Sequence, residues 1–490
     1  MRRLIAGLMA LSLFSGGFAP VLAKPAASPK KDPTPTFQSG IQWTELPDGQ
    51  PTAPLTTSAT FPDPQWWQRF QDPHLTRYME EALADSPDLQ LAGQRVAEAR
   101  HLARQRLGEE FPTVGVQPAF TRQRNSKSLL VPSIAQFERV GPRLFAPGAT
   151  VNIYNVPLQV NYDLDLWGKH RLTTKAQNKQ VVAAQADQQA VFIGLTTEVA
   201  TAYFNLLKAD RLAALQAETI ALLKDKRTLV QAQYDAGLIA YDAVDRAQAA
   251  VQEAEALLPD FQKQQALFAH QLGILRGKLP VTADQLPRAS LDTLPLEDAV
   301  PVGVPSQLVA RRPDVKAALA RLESARLSVS VAKRNLLPSF PITGQFGFAS
   351  TSLDKIFNWD SYLASIAPAM AQTLFAGGAK RAAVRVAKSQ YDQALTTYQQ
   401  TTLQAFLDVE DALASLKANS QQLQLSDQRQ ATLKEAHALV ADRYQAGIIP
   451  YQDVIDALTP LLASQKALVE EKATVLTDRI SLYKALGGGF

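Results

Sequence analysis

The sequence has no cysteine in its 490 residues, which rules out a disulfide framework, a thiolate metal site, a cysteine nucleophile and a lipid anchor on an N-terminal cysteine. Methionine is scarce too. Of four in the chain, only Met79 and Met370 lie beyond the first 23 residues, so no methionine-rich soft-metal site is expected. The five histidines, His74, His101, His170, His270 and His437, show no metal-ligand spacing. There is no glycine-rich phosphate loop, no nucleophile elbow and no carboxylate pair in a pocket-like context. The sequence therefore predicts no metal, no cofactor and no enzymatic activity.

Net charge is also small. The formal value is +4, about half of it in the first few residues, which is too little over this length to predict nucleic acid as a partner despite a pI near 9.0. Long hydrophobic runs are missing as well: no stretch reaches the roughly 18 to 20 uninterrupted apolar residues of a spanning helix. The run Leu4–Phe14, preceded by Arg2 and Arg3 and followed by small residues up to Ala23, reads as a secretory signal over 1–23. If the mature protein sits in a membrane, it must do so through strands.

Residues 24–64 are rich in Pro, Thr, Ser and Lys and read as an extended arm. Beyond them the chain repeats itself. Pro87, Asp88, Ala92, Arg95, Ala99, Arg100 and Pro112 recur 226 residues later as Pro313, Asp314, Ala318, Arg321, Ala325, Arg326 and Pro338. Further on the offset is 210, and Leu229–Val244 matches Leu439–Val454 at eight of sixteen positions without a gap. The extra residues of the first copy fall between Arg122 and Thr150, where Pro and Gly mark a variable loop. The expected repeats are 65–277 and 312–490, joined by a connector over 278–311.

Each copy contains two stretches almost free of Gly and Pro: His170 to about Gln233 and Tyr241–Leu275, then Lys380–Arg443 and Tyr451–Leu486. A helix of about 64 residues would be roughly 95 Å long, several times a bilayer. Taken alone, such helices suit a coiled-coil structural rod equally well. Alternation with a period of two separates the readings. Leu158, Val160, Tyr162, Leu164 and Leu166 alternate with Gln159, Asn161, Asp163 and Asp165, and Phe340, Ile342, Phe346 and Phe348 do the same in the second copy. Weaker versions run over Val114–Phe120 and Tyr362–Leu374. Two β-hairpins are expected, about 112–167 and 338–375, giving four strands per chain. A soluble antiparallel sheet would show the same pattern. Four strands cannot close a membrane barrel, so spanning requires oligomerisation, and two or three copies both satisfy the count.

The residues Val304-Pro305-Ser306-Gln307-Leu308-Val309-Ala310-Arg311-Arg312-Pro313-Asp314-Val315, with Ala318, Leu322, Ala325 and Leu337-Pro338 after them, resemble the central signature of TolC-like outer-membrane efflux proteins, in the nodulation-type branch. Trp66-Trp67 with Phe70, Asp72, Pro73 and Leu75 resembles that family's N-terminal opening, and Leu486-Gly487-Gly488-Gly489-Phe490 its ending. The resemblance implies an α+β membrane protein: a homotrimer with a twelve-stranded β-barrel in outer-membrane lipid of a Gram-negative bacterium, continuous with an α-helical coiled-coil tunnel through the periplasm. It implies a passive duct served by an inner-membrane pump and a periplasmic adaptor, small molecules or drugs being the cargo. A duct for type I protein secretion is the alternative within the same architecture. Relatives in this branch often carry a lipidated cysteine, which this chain lacks.

The resemblance also assigns sites. The repeated turns, about 234–244 and 444–454, become the periplasmic tip, with Gly237, Leu238, Gly447 and Ile448 as adaptor contacts. Asp453 and Asp456, three residues apart on one helix face, become the periplasmic gate. Ala243 stands where an aspartate is common in the family, and Pro450 where some relatives place an arginine. Asn161, Asp163 and Asp165 are candidates for the hydrated barrel lumen.

Overall fold

A computed structural model describes residues 65–124, 126, 148, 150–295 and 311–489. The expected signal, the arm, most of the variable loop and Val304–Ala310 of the signature lie outside the described residues. Two short helices, α1 (Pro73–Asp85) and α2 (Pro87–Gly108), lead into the strand segments β1 (Thr113–Val116), β2 (Ala119–Arg124) and β3 (Thr150–Asp163). The 67-residue α3 (Lys169–Asp235) and the returning α4 (Asp242–Leu275) complete the first copy. The second copy runs α5 (Pro313–Arg334), β4 (Pro341–Ser350), β5 (Tyr362–Pro368), the 67-residue α6 (Ala379–Gln445) and α7 (Tyr451–Ala485).

The helix limits fall within a few residues of the expected ones, because little but missing Gly and Pro was needed to find them. α3 is the hub: it packs on α2 and α5 toward the sheet, and on α4 and α7 toward the tips. It is also apolar and long enough, by composition, to cross a membrane, yet most of its apolar window is buried inside the protein. That stretch, including Val199, Tyr203, Phe204, Leu206 and Leu207, forms the core. α6 packs mainly on α5 and α7, and leaves Leu403, Leu407 and Leu425 exposed.

The strands are antiparallel throughout, in the order (β1,β2)-β3-β4-β5. β1 and β2 pair with β3 in one continuous register, Val116 opposite Leu158 and Ala119 opposite Asn155. They are thus one strand interrupted at Pro118, which has no N–H to offer the ladder. The four expected strands are present, with corrected limits. β3 begins at Thr150, well before Leu158, and it ends at Asp163, so Leu164 to Leu166 leave the sheet; β5 ends at Pro368 and not near Leu374. The central pairing, β3 with β4, joins the two copies, and at Gly347 opposite Pro157 the backbones come so close that a Cβ would lie 2.2 Å from the Val156 carbonyl oxygen.

Where the returning helices α4 and α7 end, against the middle of α3, residues 66–85 form a clasp. Trp66 stacks on Tyr483 near the end of α7, with centroids 5.1 Å apart, and Phe70 meets Phe204 of α3 edge-on at 5.0 Å. Asp72 caps α1 by accepting from His74 N–H at 2.8 Å, and its second oxygen accepts the Tyr203 hydroxyl at 2.5 Å. Burial, with the hydrogen bond to Asp72, pushes the Tyr203 phenol far above its ordinary value. Glu81 receives Arg77, Arg276 and Lys278 together; burial raises its carboxyl, but these donors outweigh it and hold the group at about 2. The C-terminal glycines close the same region, Gly488 donating to the Tyr483 carbonyl at 2.9 Å.

Two helices contain an internal proline, Pro259 in α4 and Pro460 in α7. The matching positions of the other copy, at the 210-residue offset, are Val469 and Ala250, so the duplication does not extend to these breaks.

Candidate functional site

The two tips are built alike. In the first, Gly237 (φ 74°) donates to Tyr234 O at 2.8 Å and Leu238 to Gln233 O at 2.9 Å; in the second, Gly447 (φ 72°) donates to Tyr444 O at 2.8 Å and Ile448 to Arg443 O at 3.0 Å. A bond reaching five residues back across a left-handed glycine is the Schellman way to end a helix. A Cβ at either glycine would meet nothing within 4 Å, so glycine is needed there for its backbone conformation alone. Tyr234 against Tyr241, and Tyr444 against Tyr451, brace the turns at 5.2 Å in both copies. Past each brace projects one aliphatic side chain, Leu238 at 74% exposure and Ile448 at 72%.

Asp453 and Asp456 are both exposed on the first turns of α7, but their surroundings differ. Asp456 accepts a 2.6 Å bond from Lys226 Nζ on α3, and Gln452 donates to the same carboxylate at 3.0 Å. Partial burial raises its carboxyl, while Lys226 and Gln452 lower it by more, so it sits below the ordinary carboxylate range. Asp453 has no side-chain ion pair among the described residues. The expected acidic pair is therefore one free carboxylate and one tied across the two hairpins. Sequence reasoning missed Lys226, since nothing local marks a partner 230 residues away.

Register sorts the sheet into two faces. Val114, Val116, Leu158, Val160, Tyr162, Ile342, Phe346, Phe348 and Ile366 share one; Thr113, Gln159, Asn161, Thr343, Gln345 and Ser365 share the other. The apolar face is bare, with Val114 63% and Ile366 68% exposed. Aromatic residues bound it at both ends: Phe120 with Tyr154 and Phe348 with Tyr362 at one, Trp167 with Phe340 at the other. From Tyr154 to Tyr162 the strand covers roughly 25 Å, the height of the apolar band of an outer-membrane barrel. Asn161 lies two residues before the end of β3 on the polar face, exposed between Thr113 and Thr343. Asp163 is the last strand residue, 3.3 Å from His170 Nε2. Asp165 corrects the expectation of a strand position: it lies beyond β3, accepts from the Arg171 backbone N–H at 3.0 Å, and serves the start of α3.

A model of the outer membrane efflux protein family matches residues 78–276 and 304–488. The chain belongs to that family. The solvent efflux pump outer membrane protein SrpC of Pseudomonas putida is 29% identical over 429 residues, 86% of each chain. The cation efflux system protein CusC of Escherichia coli K12 is 27% identical over 434 residues, 86% of this chain and 88% of that one. Among solved structures, the outer-membrane protein VceC of Vibrio cholerae superposes with a TM-score of 0.77 at 27% identity, covering 88% of this chain and all of that one. The outer-membrane channel OprN gives 0.78 at 25% identity over 93% and 98% of the two chains. Like these relatives, this outer membrane efflux protein resides in the outer membrane and extends into the periplasm. No group of three metal-binding side chains occurs among its described residues.

The structure also explains part of the central signature of the outer membrane efflux protein. Arg312, buried at the start of α5, makes a fork with Asp314 (3.0 and 2.6 Å), bonds Asp408 of α6 at 2.8 Å and reaches the Ala485 carbonyl of α7 at 3.2 Å. The Arg-Pro-Asp sequence is a clamp on three helices. The sequence names these residues, but gives no sign of their partners.

Proposed function

We propose that this chain forms the homotrimeric duct of a tripartite efflux system, a passive conduit with no catalytic step, through which an inner-membrane pump and a periplasmic adaptor export small molecules. The observation that carries this is the sheet: four strands with one apolar and one polar face, ending at β1 with β2 and at β5 in edges that are unpaired among the described residues. Open edges in lipid cost several kcal/mol per unsatisfied group. Three copies pairing edge to edge give twelve strands and leave none. The polar face then lines the lumen, with Asn161 in it and Asp163 and Asp165 at its rim. A protein-secretion duct would have the same walls; the names of the relatives, solvent and cation efflux among them, favour small solutes.

In this reading the exposed Leu238 and Ile448, presented by Gly237 and Gly447, are the apolar contacts for the adaptor, and Asp453 and Asp456 stand at the narrow periplasmic end. The Lys226–Asp456 bond holds the second hairpin to the first. Planar-bilayer recordings of the purified protein, with its oligomer mass measured in the same detergent, test the duct. A trimer giving small cation-preferring steps supports it, and a stable protein that never inserts would return the rod reading.

The gate has its own test. Asp453→Ala with Asp456→Ala is expected to raise single-channel conductance several-fold, and an unchanged value would remove both from the constriction. Because the Asp456 carboxyl is held below its ordinary value, its bond is fully present above about pH 4 and is lost as pH falls through the lowered value. Conductance of the unmodified protein should therefore hold steady between pH 7 and about pH 5.

A further inference from the structure

Helices are stabilised by acids in their first turn and by cations in their last, by about 0.3–1 kcal/mol each. α3 and α6 reverse the first rule. Neither has an acid in its first turn, and each begins with cations, Lys169 and Arg171 in the first copy, Lys380 and Arg381 in the second. α5 ends toward the same level with Lys333 and Arg334, and α2 with Arg104 and Arg106. All four helices thus carry cations where they meet the sheet. Arg106 is matched by Glu109, Lys169 by Asp163 at 3.7 Å, and Arg171 by Asp165. Arg104, Lys333, Arg334, Lys380 and Arg381 have no ion pair among the described residues.

Three of the cations converge. Lys169, Arg334 and Lys380, from three different helices, line a cleft of about 180 Å³ with Asp163, Asp165, Leu164 and Trp167; both carboxylates are taken, by Lys169 and Arg171, which leaves Arg334 and Lys380 as its cations without an acidic partner among the described residues. This cleft borders the apolar face. Leu164 donates to the Phe340 carbonyl in continuation of the β3–β4 register, and the half-exposed Trp167 ring leans on Phe340 while its indole N–H donates to the Pro338 carbonyl at 2.7 Å. Amphipathic rings at such a level anchor a protein at the lipid–water boundary. Lys380 and Arg381, placed against the helix dipole and without acidic partners among the described residues, are accounted for by an anion outside the chain, with Arg334 in the same cleft as Lys380.

We propose that this band of cations, centred on Arg334, Lys380 and Arg381, binds the phosphate headgroups of anionic phospholipids in the periplasmic leaflet of the outer membrane. The proposal rests on the outer-membrane location but needs no particular cargo or gate. Juxtamembrane cations attract anionic lipid additively and over short range, and the cleft offers one fixed seat within that field.

The test is retention of phosphatidylglycerol by the full-length protein, read by native mass spectrometry after reconstitution in phosphatidylethanolamine with and without phosphatidylglycerol. Retained phosphatidylglycerol on every protomer is expected, and its apparent affinity should fall about a hundredfold in Arg334→Gln/Lys380→Gln/Arg381→Gln. Since Arg334 also donates to the Gly168 carbonyl, Lys380→Gln/Arg381→Gln, which leaves that bond intact, should show at least a tenfold loss. Removing as many charges away from the sheet, with Lys263→Gln/Arg429→Gln/Lys434→Gln, should change nothing. Equal retention by the protein and its variants overturns the proposal. So does a change of ion selectivity without a change of lipid retention, which would put these cations in the pore. Failure to insert into phosphatidylethanolamine alone would count against the duct itself.

Discussion

Gly347→Val is expected to leave the long helices intact and to abolish assembly of the proposed barrel. Gly347 faces Pro157 across the β3–β4 pairing, where even a single Cβ would stand 2.2 Å from the Val156 carbonyl oxygen and 2.9 Å from Pro157 Cα. These are backbone atoms in the middle of the sheet, so no side chain can rotate away. Only separation of the two strands relieves the clash, and β3–β4 is the pairing that joins the copies. The cost should exceed the roughly 1–3 kcal/mol of ordinary overpacking. Far-ultraviolet circular dichroism should keep its helical signal, while the oligomer mass in detergent falls to that of one chain and bilayer insertion is lost. An assembled, conducting Gly347→Val protein would show that β3 and β4 do not pair as described.

Arg312→Ala should give the largest stability loss outside the sheet. The guanidinium joins α5, α6 and α7 through two carboxylates and two backbone carbonyls. Burial opposes its charge, but Asp314 and Asp408 hold its pKa above the ordinary arginine value. Truncation leaves those acceptors without their donor. A fully buried pair broken in this way costs about 3–5 kcal/mol, and because both carboxylates keep contact with water the loss here should be nearer 3 kcal/mol. Arg312→Lys should recover little of it, since an ammonium cannot make the planar fork to Asp314 and still reach Asp408. Thermal or denaturant unfolding of the detergent-solubilised protein measures both. Equal midpoints for Arg312→Ala and the parent would mean that the clamp is incidental.

These two sites also mark how far the sequence could be read. The helices were legible almost to the residue, because a long run without Gly or Pro leaves the chain few alternatives. The lower half of β3 was legible from alternation. Its upper half was not: Val151 and Ile153 fall on the face opposite Tyr154 and Val156, so the apolar phase shifts where the strand rises past the apolar band, and Pro157 interrupts it further. Local chemistry placed the tips, since Tyr-x-Ala-Gly carries its own helix stop. Long-range bonds were not readable. Lys226 and Asp456, Tyr203 and Asp72, and Arg312 and Asp408 meet only through tertiary packing, and each partner alone looks like an ordinary surface charge or a core tyrosine.

In the proposed duct the two internal prolines would make the periplasmic end mechanically uneven. A proline deprives the carbonyl four residues earlier of its hydrogen bond; for Pro460 that carbonyl belongs to Asp456, and for Pro259 to Glu255. Both acids are bonded by side chain to neighbouring lysines of α3, Lys226 at 2.6 Å and Lys224 at 2.7 Å. Each weak point in a returning helix is thus pinned to the rigid central one by a half-exposed ion pair, worth at most about 1 kcal/mol. The weak points lie at different depths, about 13 Å along α7 and about 26 Å along α4 from their first residues. Pulled outward, the two hairpins of a subunit would yield at two heights, the second nearer its end, so the aperture would widen as a staircase of bends and not as a single swinging leaf.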